Sequence, residues 1–210
     1  MTEMESAAKA ALSAYGDEVN KSLSQYVDIL ASRGIEWGLI GPREGDKLWS
    51  RHVANSLALI DVIPEGVTVA DVGSGAGLPG LPLAIARPDL RITLVEPLQR
   101  RVDFLQLALE ELGLEDRVTL LRARSEDHSP TSNYDVVTCR AVAPLTKLLA
   151  WTSHLFLPDR ELVALKGQSA EQEVAKARKE LAKLKASAEI LELTAAQGVE
   201  GTRAIRVRRS

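Results

Sequence analysis

Apolar residues follow two rhythms along this chain. Over residues 3–33 they recur at helical spacing: Ala7, Ala11, Leu12 and Tyr15 form one stripe, and Val19, Leu23, Tyr26, Val27 and Leu30 a second. This is the pattern of one or two helices, each buried by one face. Gly34 is placed to stop the second. Residues 35–46 contain Gly38, Gly41, Pro42 and Gly45 and read as a loop. A third helix is expected from Lys47 to Val62, with Leu48, Val53, Leu57 and Ile60 inward and Pro64-Glu-Gly66 closing it. From Val67 the rhythm changes to short apolar runs that alternate with helical segments. Val67–Val72, Arg91–Glu96, Val118–Leu121, Tyr134–Cys139 and Glu161–Leu165 read as strands. Pro79–Ala86, Arg100–Leu112, Pro144–Leu155 and Ser169–Lys185 read as helices, and two further strands are expected at Glu189–Leu193 and Arg203–Val207.

Strands that alternate with helices across short loops predict an α/β fold. The expected form is a Rossmann-like, doubly wound, seven-stranded and mostly parallel sheet. Its terminal strands, joined through Gly198 and Gly201, are expected to form an antiparallel hairpin. Residues 1–64 then form an N-terminal helical cap, and residues 65–210 the sheet domain.

Composition narrows the classes. With 210 residues and 45% hydrophobic content, the chain is not predominantly disordered. No apolar run approaches the roughly 18 residues of a membrane-spanning helix, and Met1 to Lys9 is polar and acidic, unlike a secretion signal. The single cysteine, Cys139, permits no internal disulfide and suits a reducing, cytoplasmic compartment. Its place on an apolar strand suggests packing rather than nucleophilic chemistry. His52, His128 and His154 fall in no zinc-ligand spacing, so no metal is expected. No apolar surface stripe calls for a second copy, and a monomer is expected. The net charge of −3 hides a division: from Lys166 onward there are ten Lys and Arg against six Asp and Glu. A locally basic surface suits a polyanion, although arginines on an edge strand also discourage aggregation.

The most informative segment is Asp71-Val-Gly-Ser-Gly-Ala-Gly-Leu-Pro-Gly80. A glycine cluster directly after a buried strand is where open α/β sheets bind ligands. Gly73, Gly75 and Gly77 remove the side chains that would hold a ligand off the backbone. The spacing Gly75-x-Gly77-x-x-Gly80 also fits a dinucleotide fingerprint, a weak signal taken alone. Asp71 separates the readings: a carboxylate there would repel a pyrophosphate and suit a ligand offering a cation, such as the amino group or sulfonium of S-adenosylmethionine. Glu96, ending the next strand, is placed to accept ribose hydroxyls. The alternative is that both carboxylates cap the helices that follow them.

The Asp71–Gly77 run resembles motif I of class I S-adenosylmethionine-dependent methyltransferases. Extended to Pro82, it is similar to the bacterial 16S rRNA guanine-N7 methyltransferases of the glucose-inhibited division protein B type. Arg51-His-Val-Ala-Asn-Ser56, Arg100-Arg-Val-Asp-Phe-Leu105, Thr138-Cys-Arg-Ala141 and Ala164-Leu-Lys-Gly167 agree with that branch in order. The chain departs from it after Trp37, where many relatives carry Asn-Leu-Thr and this one carries Gly-Leu-Ile-Gly-Pro-Arg.

The resemblance implies an S-adenosylmethionine cofactor and a substrate in 16S rRNA of the small ribosomal subunit. It places Gly73 and Leu78 against the cofactor, Ser125 and Glu126 beside its adenine, and Arg140 near both cofactor and target base, as the catalytic candidate. Arg51, His52, Arg124, Lys166 and Arg203 are the candidates for RNA contact; arginine pairs with phosphate and stacks on bases. Each also has a plain reading as a surface ion pair, and His52 as an ordinary helix-surface histidine. Trp37 and Trp49 could stack on bases or pack between cap and sheet. The rival functions are a nicotinamide-dependent oxidoreductase, which Asp71 disfavours, and a non-catalytic ribosome-binding module.

Overall fold

A computed structural model describes residues 2–127 and 134–209; His128 lies outside them. Helix α1 (Glu3–Ala11) starts at Thr2, whose hydroxyl accepts the Glu5 N–H at 3.3 Å. After a 3₁₀ turn, α2 (Asp17–Ile29) buries Leu23, Tyr26, Val27 and Ile29 and continues as a π turn over Leu30–Gly34. Two expectations change here. The 35–46 segment is not all loop, since Pro42–Lys47 forms a 3₁₀ turn. The expected third helix is broken into a π turn (Leu48–Val53), a short α3 (Ala54–Leu57) and a 3₁₀ turn (Ile60–Val62). The reason is tertiary. Glu5 reaches across from α1 and accepts the N–H groups of Trp49 and Ser50, both at 2.8 Å. The His52 carbonyl accepts from the Ser56 hydroxyl at 2.8 Å, a competition that bends helices.

The sheet follows: β1 (Thr68–Val72), α4 (Gly80–Ala86), β2 (Arg91–Val95), α5 (Gln99–Leu112), β3 (Val118–Leu121), β4 (Val136–Arg140), α6 (Leu145–Phe156) and β5 (Glu161–Leu165). Phe104, Leu105, Ala108 and Leu109 form the inward face of α5, and Gly113 ends it in the left-handed conformation, as glycine does at helix ends. The helix expected over Ser169–Lys185 is two, α7 (Ala170–Lys176) and α8 (Arg178–Leu184). They divide at the buried Ala177, so that α7 packs on α6 while α8 follows the sheet edge. The chain closes with β6 (Ala186–Leu193) and β7 (Thr202–Arg209).

The seven strands run in the order β3-β2-β1-β4-β5-β7-β6. Strands β1 to β5 pair in parallel, while β7 is antiparallel to both β5 and β6. This is the doubly wound sheet with an antiparallel terminal hairpin that the periodicity predicts. Its order reverses between β1 and β4, the position at which such sheets bind ligands beyond their strand ends. The N-terminal helices do not stand apart: Leu12, Tyr26, Trp49 and Leu57 share one hydrophobic core with Leu81, Leu94, Phe104 and Val163. Among the described residues, no helix is long and apolar enough to cross a membrane.

Candidate active site

Beyond the carboxyl ends of β1, β2 and β4 lies a cavity of about 630 Å³, within the range of small-molecule sites. Its floor is the glycine loop. Gly73 adopts φ +71°, and a Cβ there would come within 2.7 Å of Val142, so only glycine allows the loop after β4 to close against the loop after β1. The loop is buttressed from the cap: the Tyr26 hydroxyl donates to the Ala76 carbonyl at 2.7 Å. Periodicity marks Tyr26 as a core position and is silent about this bond.

Gly73, Gly75, Leu78, Glu96, Arg124, Ser125, Glu126 and Arg140 all line the cavity. Glu96 is 1% exposed. Its two oxygens accept from the backbone N–H groups of Gly75 and Leu98, each at 3.0 Å, with Arg101 3.5 Å away. A carboxylate has about four acceptor positions, so two N–H bonds fix its plane and leave capacity toward the cavity. Leu98 is 54% exposed and offers a large apolar surface beside it. Ser125 and Glu126 sit on a 3₁₀ turn after β3 and bond to one another at 3.2 Å.

Asp71 and Gly77 are the exceptions among the expected cofactor contacts, because neither is in the cavity wall. Asp71 is fully buried beneath the loop and accepts the Gly80 N–H at 3.0 Å. It caps the start of α4, the alternative reading of this carboxylate. Burial raises its pKa to about 7. Gly77 is needed for packing: a Cβ there would meet Leu81 at 2.4 Å.

Arg140, the last residue of β4, is largely buried and reaches back toward the cap. It donates to the His52 carbonyl at 3.3 Å and to the His52 imidazole Nδ1. Burial lowers its pKa to about 10, which leaves it cationic at neutral pH. Arg140, Ala141 and Val142 are shared with a second cavity of about 370 Å³, whose wall also holds Asn55 and Lys166. Ala141 adopts φ +53°, a conformation that costs a non-glycine residue about 1–2 kcal/mol. The second cavity opens into a polar groove of about 980 Å³ between the cap and the terminal hairpin, lined by Arg51, Asn55, Gly201 and Arg203 among others. Asn55 lines both spaces; within Arg51–Ser56 only its polar type pointed to it.

The candidates for RNA contact separate. Arg124 is exposed at the cavity rim. The Arg51 side chain is 55% exposed and lies 3.3 Å from Glu44. Arg203 pairs with Glu171 and Glu192 at 2.9 and 2.6 Å. Two of the candidates have buried side chains, though Lys166 lines the groove and second cavity and His52 the first cavity. The Lys166 side chain is only 6% exposed; it pairs with Glu173 at 2.9 Å and donates to the Ala143 carbonyl. Glu173 in turn accepts the Leu145 N–H at 2.8 Å, so Lys166 ties down the loop after β4. His52 is 6% exposed and turned inward, not on a helix surface. Trp49 is buried, and Trp37 meets Phe104 edge-on at 6.0 Å. Cys139 is fully buried, which pushes its thiol up to about 12.

The chain is similar in sequence to known methyltransferases. Residues 19–200 match the profile described as rRNA small subunit methyltransferase G. The ribosomal RNA small subunit methyltransferase G of Kineococcus radiotolerans is 48% identical over 197 residues, 93% of this chain and 77% of that one. Its namesake from Pseudarthrobacter chlorophenolicus is 52% identical over 176 residues, covering 84% and 81%. Among solved structures, the Bacillus subtilis M1A22 tRNA methyltransferase TrmK aligns with a TM-score of 0.59 at 13% identity, over 77% of this chain and 66% of that one, a likeness of fold alone. With the profile matched across most of its length and relatives near half identity, the chain belongs to the rRNA small subunit methyltransferase G family.

Proposed function

We propose that this protein transfers a methyl group from S-adenosylmethionine to N7 of a guanine in 16S rRNA of the small ribosomal subunit, in the cytoplasm. The observation that carries the reading is the cavity at the switch point, where the Gly73–Gly75 backbone, the Glu96 carboxylate and Arg140 converge.

The residues present suit that cofactor. The Glu96 oxygens are oriented by two backbone N–H groups and keep acceptor capacity for two ribose hydroxyls. The exposed Leu98 would cover one face of an adenine, with Ser125 and Glu126 at its edge. Gly73 and Gly75 would let the methionine portion lie on bare backbone. When bound, the cofactor supplies an electrophilic methyl group on a sulfonium.

Guanine N7 carries a lone pair and no proton, so the acceptor needs no general base. The protein's task is in-line placement, which supplies up to about 7–11 kcal/mol of barrier reduction in the best cases. At the boundary of the two cavities, Arg140 would donate to guanine O6, next to N7, and orient the base without covering the attacking atom. Exposed Arg51 and Arg124 would hold RNA phosphates. The smaller cavity would admit a single base, with the partly exposed Asn55 on its wall.

The direct test is transfer of labelled methyl from S-adenosylmethionine to small subunits lacking the modification, followed by mapping of the labelled nucleotide. Label at a guanine N7 is expected. Cofactor binding without label would make the substrate wrong, and neither binding nor label would overturn the reading. In the same assay, Arg140→Ala should lose nearly all transfer while its thermal midpoint stays close to wild type.

A further inference from the structure

Four side chains form a line from solvent to the cofactor cavity. Arg51 is exposed and faces Glu44; Glu44 lies 3.1 Å from Nε2 of His52; His52 faces Arg140. His52 meets Arg140 twice, by its carbonyl and by Nδ1. His52 lies in the π turn over Leu48–Val53, and its carbonyl accepts from both Arg140 and the Ser56 hydroxyl. Local π turns of this kind recur at functional sites. A ring nitrogen that accepts from a guanidinium cannot carry a proton, so the proton is on Nε2, facing Glu44. Burial and the two neighbouring guanidinium groups agree, driving the imidazole pKa down to about 4.

We propose that neutral His52, which lines the cofactor cavity beside Arg140, is a positioning residue for methyl transfer: it sets the plane of the Arg140 guanidinium and does not itself touch RNA. The inference rests on the proposed methyltransferase reading. Its chemical rationale is charge. Methyl transfer moves positive charge from sulfur onto the purine, and a second cation beside Arg140 in the cavity wall would oppose that movement. A neutral acceptor orients the arginine without adding one. The Glu44 carboxylate stands 3.1 Å from the other ring nitrogen, and the Arg140 contact fixes which nitrogen carries the proton.

Two measurements test this. Imidazole ¹⁵N spectra of the whole protein at neutral pH, assigned by the signal lost in His52→Asn, should show a proton on Nε2 and an acceptor at Nδ1. An imidazolium, or a proton on Nδ1, overturns the proposal whatever the enzyme's substrate proves to be. In methyl transfer, His52→Ala should lower kcat by about ten- to a hundredfold, the range for a lost hydrogen bond to a charged group, with KM for RNA unchanged. In an Arg140→Lys background, where the guanidinium is gone, the same change should have far less effect. An equal loss in both backgrounds, or a raised KM with intact kcat, overturns it. Should His52→Ala fail to fold, His52→Asn carries the test. Asparagine keeps an acceptor at the δ position facing Arg140, so kcat should stay near wild type; collapse of kcat in a folded His52→Asn protein overturns the proposal.

Discussion

At the scale of single residues, burial decides what each charge does here. Asp71 and Glu96 both follow apolar strands, yet only Glu96 faces the cavity, while Asp71 closes against Gly80. Buried carboxylates resist ionisation, and the Asp71 value rises from 3.8 to about 7. The sign of the linkage follows. Between those values the unfolded chain is ionised at this position and the folded chain is not, so the stability from Asp71 is full below the lower value and lost as pH rises to the upper one. Asp71→Asn keeps an acceptor for Gly80 and cannot ionise. Its stability relative to wild type should therefore be higher at pH 8 than at pH 5, measured by urea denaturation of the cofactor-free protein. An equal difference at both pH values would mean that Asp71 is already ionised in the fold.

At the scale of elements, the approach of α4 to the sheet is set by one missing methyl group. A Cβ on Gly80 would lie 2.4 Å from Leu94 and 2.7 Å from the Asp71 carboxylate. Gly80→Ala should destabilise the protein by about 1–3 kcal/mol, the usual range for overpacking. It should also weaken cofactor affinity, because moving α4 moves the glycine loop. Denaturation midpoints and calorimetric titration check the two effects. The elements themselves were readable to different degrees. Strands β1 to β5 and helix α5 follow from periodicity and a glycine stop, which are local properties. The Leu48–Val53 π turn was not legible, because partners for its backbone come from elsewhere in the chain: Glu5 lies 44 residues from Trp49.

For the whole molecule, the cap, the β4 loop and the terminal hairpin enclose the groove that leads to the two cavities. Basic residues around it are not equivalent, and ionic strength should separate them. Removing a phosphate contact reduces the salt dependence of RNA binding by about one ion per contact. Arg51→Ala and Arg124→Ala should each show that reduction in affinity measured across salt concentrations. Lys166→Ala should leave the slope unchanged, since its ammonium is committed to Glu173 and Ala143. A reduced slope for Lys166→Ala would return it to the RNA surface.

The sequence alone determined the doubly wound sheet, its antiparallel end and the glycine loop, because apolar periodicity and glycine placement are short-range signals; the family followed from the resemblance of whole motif strings such as Asp71–Pro82. Tertiary structure alone decided which polar groups face the ligand. Asp71 and Glu96 look alike in sequence, as do Lys166 and Arg124, and their fates differ through distant partners. His52 and Arg140 stand 88 residues apart, and no local pattern records that they meet. The direction of a charged side chain is set by which partner compensates its burial, and that partner is brought near only when the chain has folded.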